Sequence, residues 1–339
     1  MGPLVFACLF LQPISSVEAE HDTAAGQAQP AKPAPTYRCV VTKGIPLPKE
    51  RGGLVGGIVD DGIVIAAGSY WSKDKTTKHR LADSVIFQNG AWKAGPPLPN
   101  PLEYAMYAYD KSGLYVAGGT YDGTNNSSGV YRMTSLKPAP KWEPLADLPL
   151  EISNGAGAIL AGKFYVTCGS VKKEKLNSLW MLDIRKPGLK WSRGQPLPAA
   201  ERMYPALIAC GKHLYLLGGW TAEFTILKDA YRYNPQADEW EKLPDLPMQG
   251  YCWTGRAIDD THMLITGKTD ENDPEIYDGI WNLDTKDMSM EKIGRTIVPA
   301  TTGALLEVGD KQWWLIGGEP DVKKNRTNVV SIIRLLKEG

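Results

Sequence analysis

Cysteine, histidine and phenylalanine are scarce in this chain, at 5, 4 and 5 of 339 residues. No two cysteines form a C-x-x-C pair, and His21, His79, His213 and His262 stand singly. A His/Cys metal cluster has no sequence support, and neither has a copper site built from histidine and tyrosine. Three of Cys39, Cys168, Cys210 and Cys252 lie in apolar strand patterns and read as buried thiols. A charge of one sign is missing too: 38 acidic and 38 basic residues leave a net charge of zero. That argues against a basic nucleic-acid surface. No run of 18 apolar residues occurs beyond the N-terminus, so no transmembrane helix interrupts the body.

Glycine (35), proline (25), tryptophan (11) and tyrosine (15) suit short strands joined by tight turns. At the N-terminus, Leu4 to Leu11 is apolar and Val17-Glu18-Ala19 has a small-x-small pattern. Residues 1–19 are therefore expected to be a signal peptide, which places the protein in the periplasm or outside the cell. Its first segment carries only the α-amine as positive charge; the competing reading is an unstructured start. Residues 20–36, rich in Ala, Pro and Gln, cannot bury a core and read as a flexible linker.

The dominant signal is self-similarity. Proline elements recur at Pro46-Leu47-Pro48, Pro97-Leu98-Pro99, Asp147-Leu148-Pro149, Pro196-Leu197-Pro198, Asp245-Leu246-Pro247 and Ile297-Val298-Pro299, spaced by 51, 50, 49, 49 and 52 residues. Strand-closing glycines keep step at Gly68, Gly119, Gly169, Gly219, Gly267 and Gly318. A period near 50 is that of the kelch repeat, one four-stranded propeller blade per unit. In one unit the four strands fall at Tyr204 to Cys210, His213 to Gly219, Asp229 to Asn234 and Glu239 to Lys242. Trp92, Trp142, Trp191 and Trp240 recur in the fourth strand as packing residues between blades. The sixth unit has only three strands. The orphan strand within Tyr37 to Pro48 completes it beside Val329 to Leu335 and hides two open edges. The expected fold is all-β, a six-bladed propeller over residues 37–339.

Inner strands of a propeller line its channel, and ligands bind where loops gather at the mouth. Residues just after the proline elements are placed there: Arg51, Glu103, Tyr104, Asn154, Arg202, Tyr251, Trp253 and Thr301. The last unit adds Glu319 directly after Gly317-Gly318, with Arg326 seven residues on. The other reading of Glu319 and Arg326 is an ion pair that fixes the blade top. The basic run Lys73 to Arg80 reads as a solvated loop, with an anion site as the alternative.

Two stretches carry a closer resemblance. One runs from Thr302-Gly303-Ala304 through Gly309-Asp310-Lys311 to Gly318-Glu319 and Arg326-Thr327. The other runs from Gly53-Leu54-Val55-Gly56-Gly57 through Ala66-Ala67-Gly68 and Asp83 to Asn89-Gly90-Ala91-Trp92-Lys93 and Glu103-Tyr104. Together they resemble the bacterial sialic acid mutarotases (N-acetylneuraminate epimerases), with the Glu/Arg blade last and its successors first, as in a cyclic permutation. A closed ring tolerates such a rotation. The spacing of Glu319 and Arg326 is one residue longer than the family pattern, and Tyr251-Cys252-Trp253 stands where a histidine is expected. The loop after Gly267 is also short. The resemblance implies cofactor-free acid/base chemistry at the anomeric centre of an acidic sugar. Glu319 is then the general base and Arg326 the carboxylate clamp or electrophilic partner. Arg202 and Arg51 are further candidates for holding the carboxylate, and Glu103, Tyr104 and Trp253 for the rest of the sugar. The rival function is a non-catalytic kelch module that binds a glycan or a protein.

Overall fold

The computed structural model describes residues 37–185, 188, 190–268 and 278–337. They fall in a compact unit spanning Pro35–Gly339. The expected leader (1–19), the linker (20–36) and most of the short loop after Gly267 lie outside the described residues.

Alternating small and branched residues form short strands here, and turns at intervals of a few residues fold them back as antiparallel meanders. Six four-stranded sheets result. Blade 1 comprises Val55–Val59, Gly62–Ala66, Ser84–Gln88 and Ala91–Gly95, from the axis outwards. Blade 2 comprises Met106–Asp110, Gly113–Ala117, Val130–Met133 and Glu143–Pro144, and blade 3 Ala156–Leu160, Lys163–Thr167, Leu179–Asp183 and Trp191–Gly194. Blade 4 comprises Ala206–Cys210, His213–Leu217, Ala230–Asn234 and Glu239–Lys242, and blade 5 Tyr251–Ala257, His262–Lys268, Gly279–Asp284 and Met290–Arg295. Blade 6 takes Ala304–Gly309, Gln312–Ile316 and Val330–Lys337 from the C-terminal end and Tyr37–Lys43 from the N-terminal end. Tyr37 faces Lys337 and Lys43 faces Ser331 in that closing ladder, as the orphan strand predicts. No described helix is long and apolar enough to cross a membrane.

The core lies between blades rather than within them. Six buried apolar clusters fill the six blade interfaces; one joins Ala206, Ile208 and Leu217 of blade 4 to Met263, Ile265 and Leu283 of blade 5. Each buried aliphatic side chain contributes about 1.5–3 kcal/mol. The repeated tryptophans tie each of blades 1 to 4 to its predecessor. The indole N–H groups of Trp92, Trp142, Trp191 and Trp240 donate to the carbonyls of Ile45, Pro96, Ala146 and Gln195.

A second tie runs around the axis across five of the six blade junctions. Just before each inner strand, or near its start in blade 5, one residue adopts a left-handed backbone: Gly53, Tyr104, Asn154, Tyr204, Cys252 and Thr302, with φ between 52° and 63°. The Gly53 N–H donates to the Thr302 carbonyl at 3.2 Å, and Tyr104, Asn154, Tyr204 and Cys252 each donate to the preceding member at 2.7–3.0 Å. Five of these six positions carry a side chain, and the left-handed conformation costs each of them about 1–2 kcal/mol. The fold holds them there, and all six line the channel.

Candidate active site

A cavity of about 360 Å³ opens where the channel meets the loops that follow the second strands. It shares Tyr104, Tyr204, Cys252 and Thr302 with the inner channel. Glu319 lies on one side, placed by the turn at Gly317-Gly318 and a bridge between Thr301 and Glu319. Both glycines have positive φ (63° and 111°), which suits residues without a Cβ. The Glu319 carboxylate is held by three groups. Its Oε1 accepts from the Tyr104 hydroxyl at 2.8 Å and the Thr302 hydroxyl at 3.0 Å. Its Oε2 lies 3.2 Å from an Arg326 guanidinium nitrogen. That same nitrogen donates to the Asn325 carbonyl at 2.9 Å, while the Arg326 Nε–H is buried without an acceptor among the described residues.

Gly52 makes this packing possible. A Cβ there would stand 2.6 Å from Arg326 Cδ and 2.7 Å from Glu319 Cγ, inside any tolerable contact. The Tyr104 phenol is pushed well above its ordinary range, first by burial and then by the charge of Glu319. It therefore remains a donor at neutral pH. The Tyr204 phenol is raised for the same leading reason, burial. Tyr104, Tyr204, Trp220 and Tyr251 form an aromatic row along the cavity: successive ring centroids lie 5.6, 5.6 and 5.0 Å apart, and the last pair is stacked. Such a row offers apolar faces to the C–H surface of a sugar.

The basic run Lys73 to Arg80 is the solvated loop expected from sequence only in part. Ser69–Trp71 and Lys78–Arg80 pair as a two-stranded ribbon whose residues Trp71 and Lys78 reach the cavity. Lys73 stays exposed, as expected. Lys78 and Arg80 pair with opposite oxygens of Glu103, at 2.6 and 2.8 Å. Glu103 is 1% exposed, so it acts behind the cavity wall and not as a ligand on it. Sequence reasoning offered an anion site in this run only as the alternative and did not single out Lys78, because nothing in a loop's composition shows which side chain its fold turns towards the channel.

Arg51 and Arg202 do not fit the placement expected for sugar ligands. Both are 0% exposed, and neither lines the cavity. Arg51 donates to both oxygens of Asp83 and to the Ala67 carbonyl. Arg202 donates to both oxygens of Asp229 and to the carbonyls of Gly218 and Ala200. Each arginine therefore pins its blade internally, and its carboxylate partner already occupies the guanidinium fork. Trp253 lines the inner channel and packs in the core between blades 4 and 5, away from the cavity wall. Thr301 and Tyr251 line the cavity, but the residues next to them, Thr302 and Cys252, hold the left-handed positions. Asn154 holds one too, and its amide reaches Ser153 and Ser170.

These observations define a six-bladed kelch-type propeller with a carboxylate–guanidinium pair and an aromatic wall at one mouth of its channel. Over residues 145–288 the chain matches the family model described as N-acetylneuraminate epimerase. It is 32% identical over 125 residues to N-acetylneuraminate epimerase of Haemophilus influenzae (strain PittEE), covering 36% of this chain and 32% of that protein. It is 24% identical over 211 residues to N-acetylneuraminate epimerase 1 of Escherichia coli O6:H1, covering 52% and 56%. The chain thus spans about a third to just over half the length of these relatives. The solved structure of YjhT superposes with a TM-score of 0.69, covering 87% of this chain and 99% of the other at 14% identity, a likeness of fold. The chain resembles the N-acetylneuraminate epimerases, and the matched family region ends before Glu319 and Arg326.

Proposed function

We propose that this protein is a mutarotase of N-acetylneuraminate or a closely related acidic sugar. The observation that carries this reading is the Glu319–Arg326 pair, held by Tyr104 and Thr302 and facing a cavity of about 360 Å³. The names of the relatives support the substrate class.

Mutarotation needs little machinery. Glu319 takes the proton of the anomeric hydroxyl as the bond between the anomeric carbon and the ring oxygen breaks. The ring oxygen gains a proton from water at the open mouth, and a keto group forms at the anomeric carbon. Rotation of that group and the reverse steps give the other anomer. General base catalysis of this kind contributes about 10²–10⁴-fold, enough for a reaction that already proceeds spontaneously. Arg326 fixes the Glu319 carboxylate in place, and the aromatic row holds the sugar body. The same proposal includes export, on the strength of the apolar run and small-x-small pattern in residues 1–19.

Following anomer exchange of N-acetylneuraminate by NMR tests the reading. The wild-type protein accelerates exchange, and Glu319→Gln lowers that acceleration by about 10²-fold or more. Exchange at the spontaneous rate with the wild-type protein removes the mutarotase reading for this sugar. Saturable binding without exchange would instead make the propeller a glycan-binding module.

A further inference from the structure

The charges around the cavity do not balance. Three cations (Lys78, Lys324 and Arg326) and two carboxylates (Glu319 and Asp321) line it, while Arg80 and Glu103 stand behind Lys78. Each of these four cations already has a partner. Arg326 pairs with Glu319 and donates to the Asn325 carbonyl. Arg80 pairs with Glu103 and does not line the cavity. The Lys324 ammonium lies 4.3 Å from the centre of the Trp71 ring and reaches the Lys75 carbonyl. Lys78 lines the cavity and shares its carboxylate partner, Glu103, with Arg80. An ammonium has three N–H donors.

The position suits the chemistry of a 2-keto acid sugar. Its carboxylate and its anomeric hydroxyl sit on the same carbon, so the anchor for one must stand close to the base for the other. Tyr104 connects the two places. The Lys78 ammonium lies 5.0 Å from the centre of its ring, and its hydroxyl touches Glu319. Trp71, the other cavity residue of the ribbon, has a buried indole N–H without an acceptor among the described residues. Its ring centre lies 5.8 Å from the Lys78 ammonium nitrogen.

We infer that Lys78 is the anchor for the substrate carboxylate, with Arg326 serving to position Glu319. This inference rests on the reading of the ligand as an acidic sugar. It reassigns the carboxylate clamp expected of Arg326 to a residue on the ribbon of blade 1. Burial lowers the Lys78 ammonium below its ordinary range, with Glu103 opposing, which agrees with a cation kept in a dry wall until an anion arrives.

The test compares dissociation constants for N-acetylneuraminic acid and its methyl ester by calorimetry at pH 7. The ester lacks the carboxylate charge and keeps the rest of the sugar. Wild-type protein prefers the acid by about tenfold, the worth of one charge-assisted contact. Lys78→Met removes most of that preference while leaving ester affinity within about twofold, and Lys78→Arg retains the preference. Far-ultraviolet dichroism and melting check that the variants fold. Should Lys78→Met not fold, the Nζ nitrogen-15 resonance of the unmutated protein decides, since it shifts with the acid and not with the ester. A full preference in folded Lys78→Met, or equal affinity of the wild type for acid and ester, overturns the anchor and leaves the mutarotase reading standing. Binding of neither sugar overturns both.

Discussion

The Tyr104 hydroxyl donates a 2.8 Å hydrogen bond to Oε1 of Glu319, joining residues 215 positions apart in the chain. Tyr104 precedes the inner strand of blade 2 and Glu319 follows the second strand of blade 6, so the bond passes over blade 1. It is made at the channel mouth, where only a closed ring brings these blades together. Tyr104→Phe keeps the ring and removes one of three holds on the carboxylate. It should cost about 1 kcal/mol of positioning, or roughly fivefold in anomer exchange, with an unchanged melting temperature. NMR exchange rates and a thermal melt read both quantities.

Gly52 sets the floor on which Glu319 and Arg326 meet. Gly52→Ala places a methyl 2.6–2.7 Å from both side chains, so one or both must move. Exchange should fall by about tenfold or more, because a displacement near 1 Å is enough to spoil a catalytic geometry. Unaltered exchange in a folded variant would show that the pair has room to yield.

Arg202 tests structure against binding. Its guanidinium is buried and forked onto Asp229, at 2.9 Å through Nη2. Arg202→Met leaves that carboxylate without its partner and should destabilise the protein by about 3 kcal/mol, measured by urea unfolding. Affinity for the acidic sugar should stay within about twofold in the folded fraction. A selective loss of affinity at full stability would return Arg202 to the binding site.

Ring closure carries an acid-sensitive clasp. Tyr37, on the N-terminal strand of blade 6, donates to Asp259 of blade 5 at 3.0 Å. Burial alone would raise the Asp259 carboxyl; hydrogen bonds from the Thr261 backbone, His262, Tyr37 and the Thr261 hydroxyl outweigh it and hold the group below its ordinary range. A carboxyl lowered in the folded state stabilises fully above its unfolded value, near pH 4, and loses that contribution as pH falls through the folded value. The stability advantage of wild type over Asp259→Asn should therefore be full at about pH 6 and shrink steadily below about pH 4. Urea midpoints across that range measure it.

The first strand also protects an edge. A chain starting at residue 44 leaves Val330–Lys337 without the seven-residue partner that it pairs along Tyr37–Lys43. Bare edge strands template further pairing. The truncated protein should melt lower and associate as its concentration rises, by light scattering after size-exclusion chromatography.

Much of the fold was legible because two features, Pro-Leu-Pro and the strand-closing glycine, repeat in phase. The tryptophans at 92, 142, 191 and 240 then find the carbonyls of the segments 45–47 residues upstream. The site was harder to read, because inward and outward positions alternate residue by residue. A one-residue offset separates Thr301 from Thr302 and Tyr251 from Cys252, and repeat spacing alone does not resolve it. Arg51 and Arg202 did carry a signal of their own. Each has an aspartate, Asp83 or Asp229, at the start of the third-strand segment of its own blade. Lys78 carried only its place in a basic run, since its approach to the cavity depends on a ribbon whose course no periodicity marks.

The belt of left-handed residues sets where selectivity can come from. Its peptide groups donate from one blade to the next, so their dipoles run around the axis rather than along it. Five such links laid around the axis largely cancel, unlike the dipoles at the end of a helix, which present an aligned positive pole. The backbone at this mouth therefore exerts little net pull on an anion. Recognition of a negative ligand falls to individual side chains, and single charge reversals there can change the sign of what the channel mouth attracts.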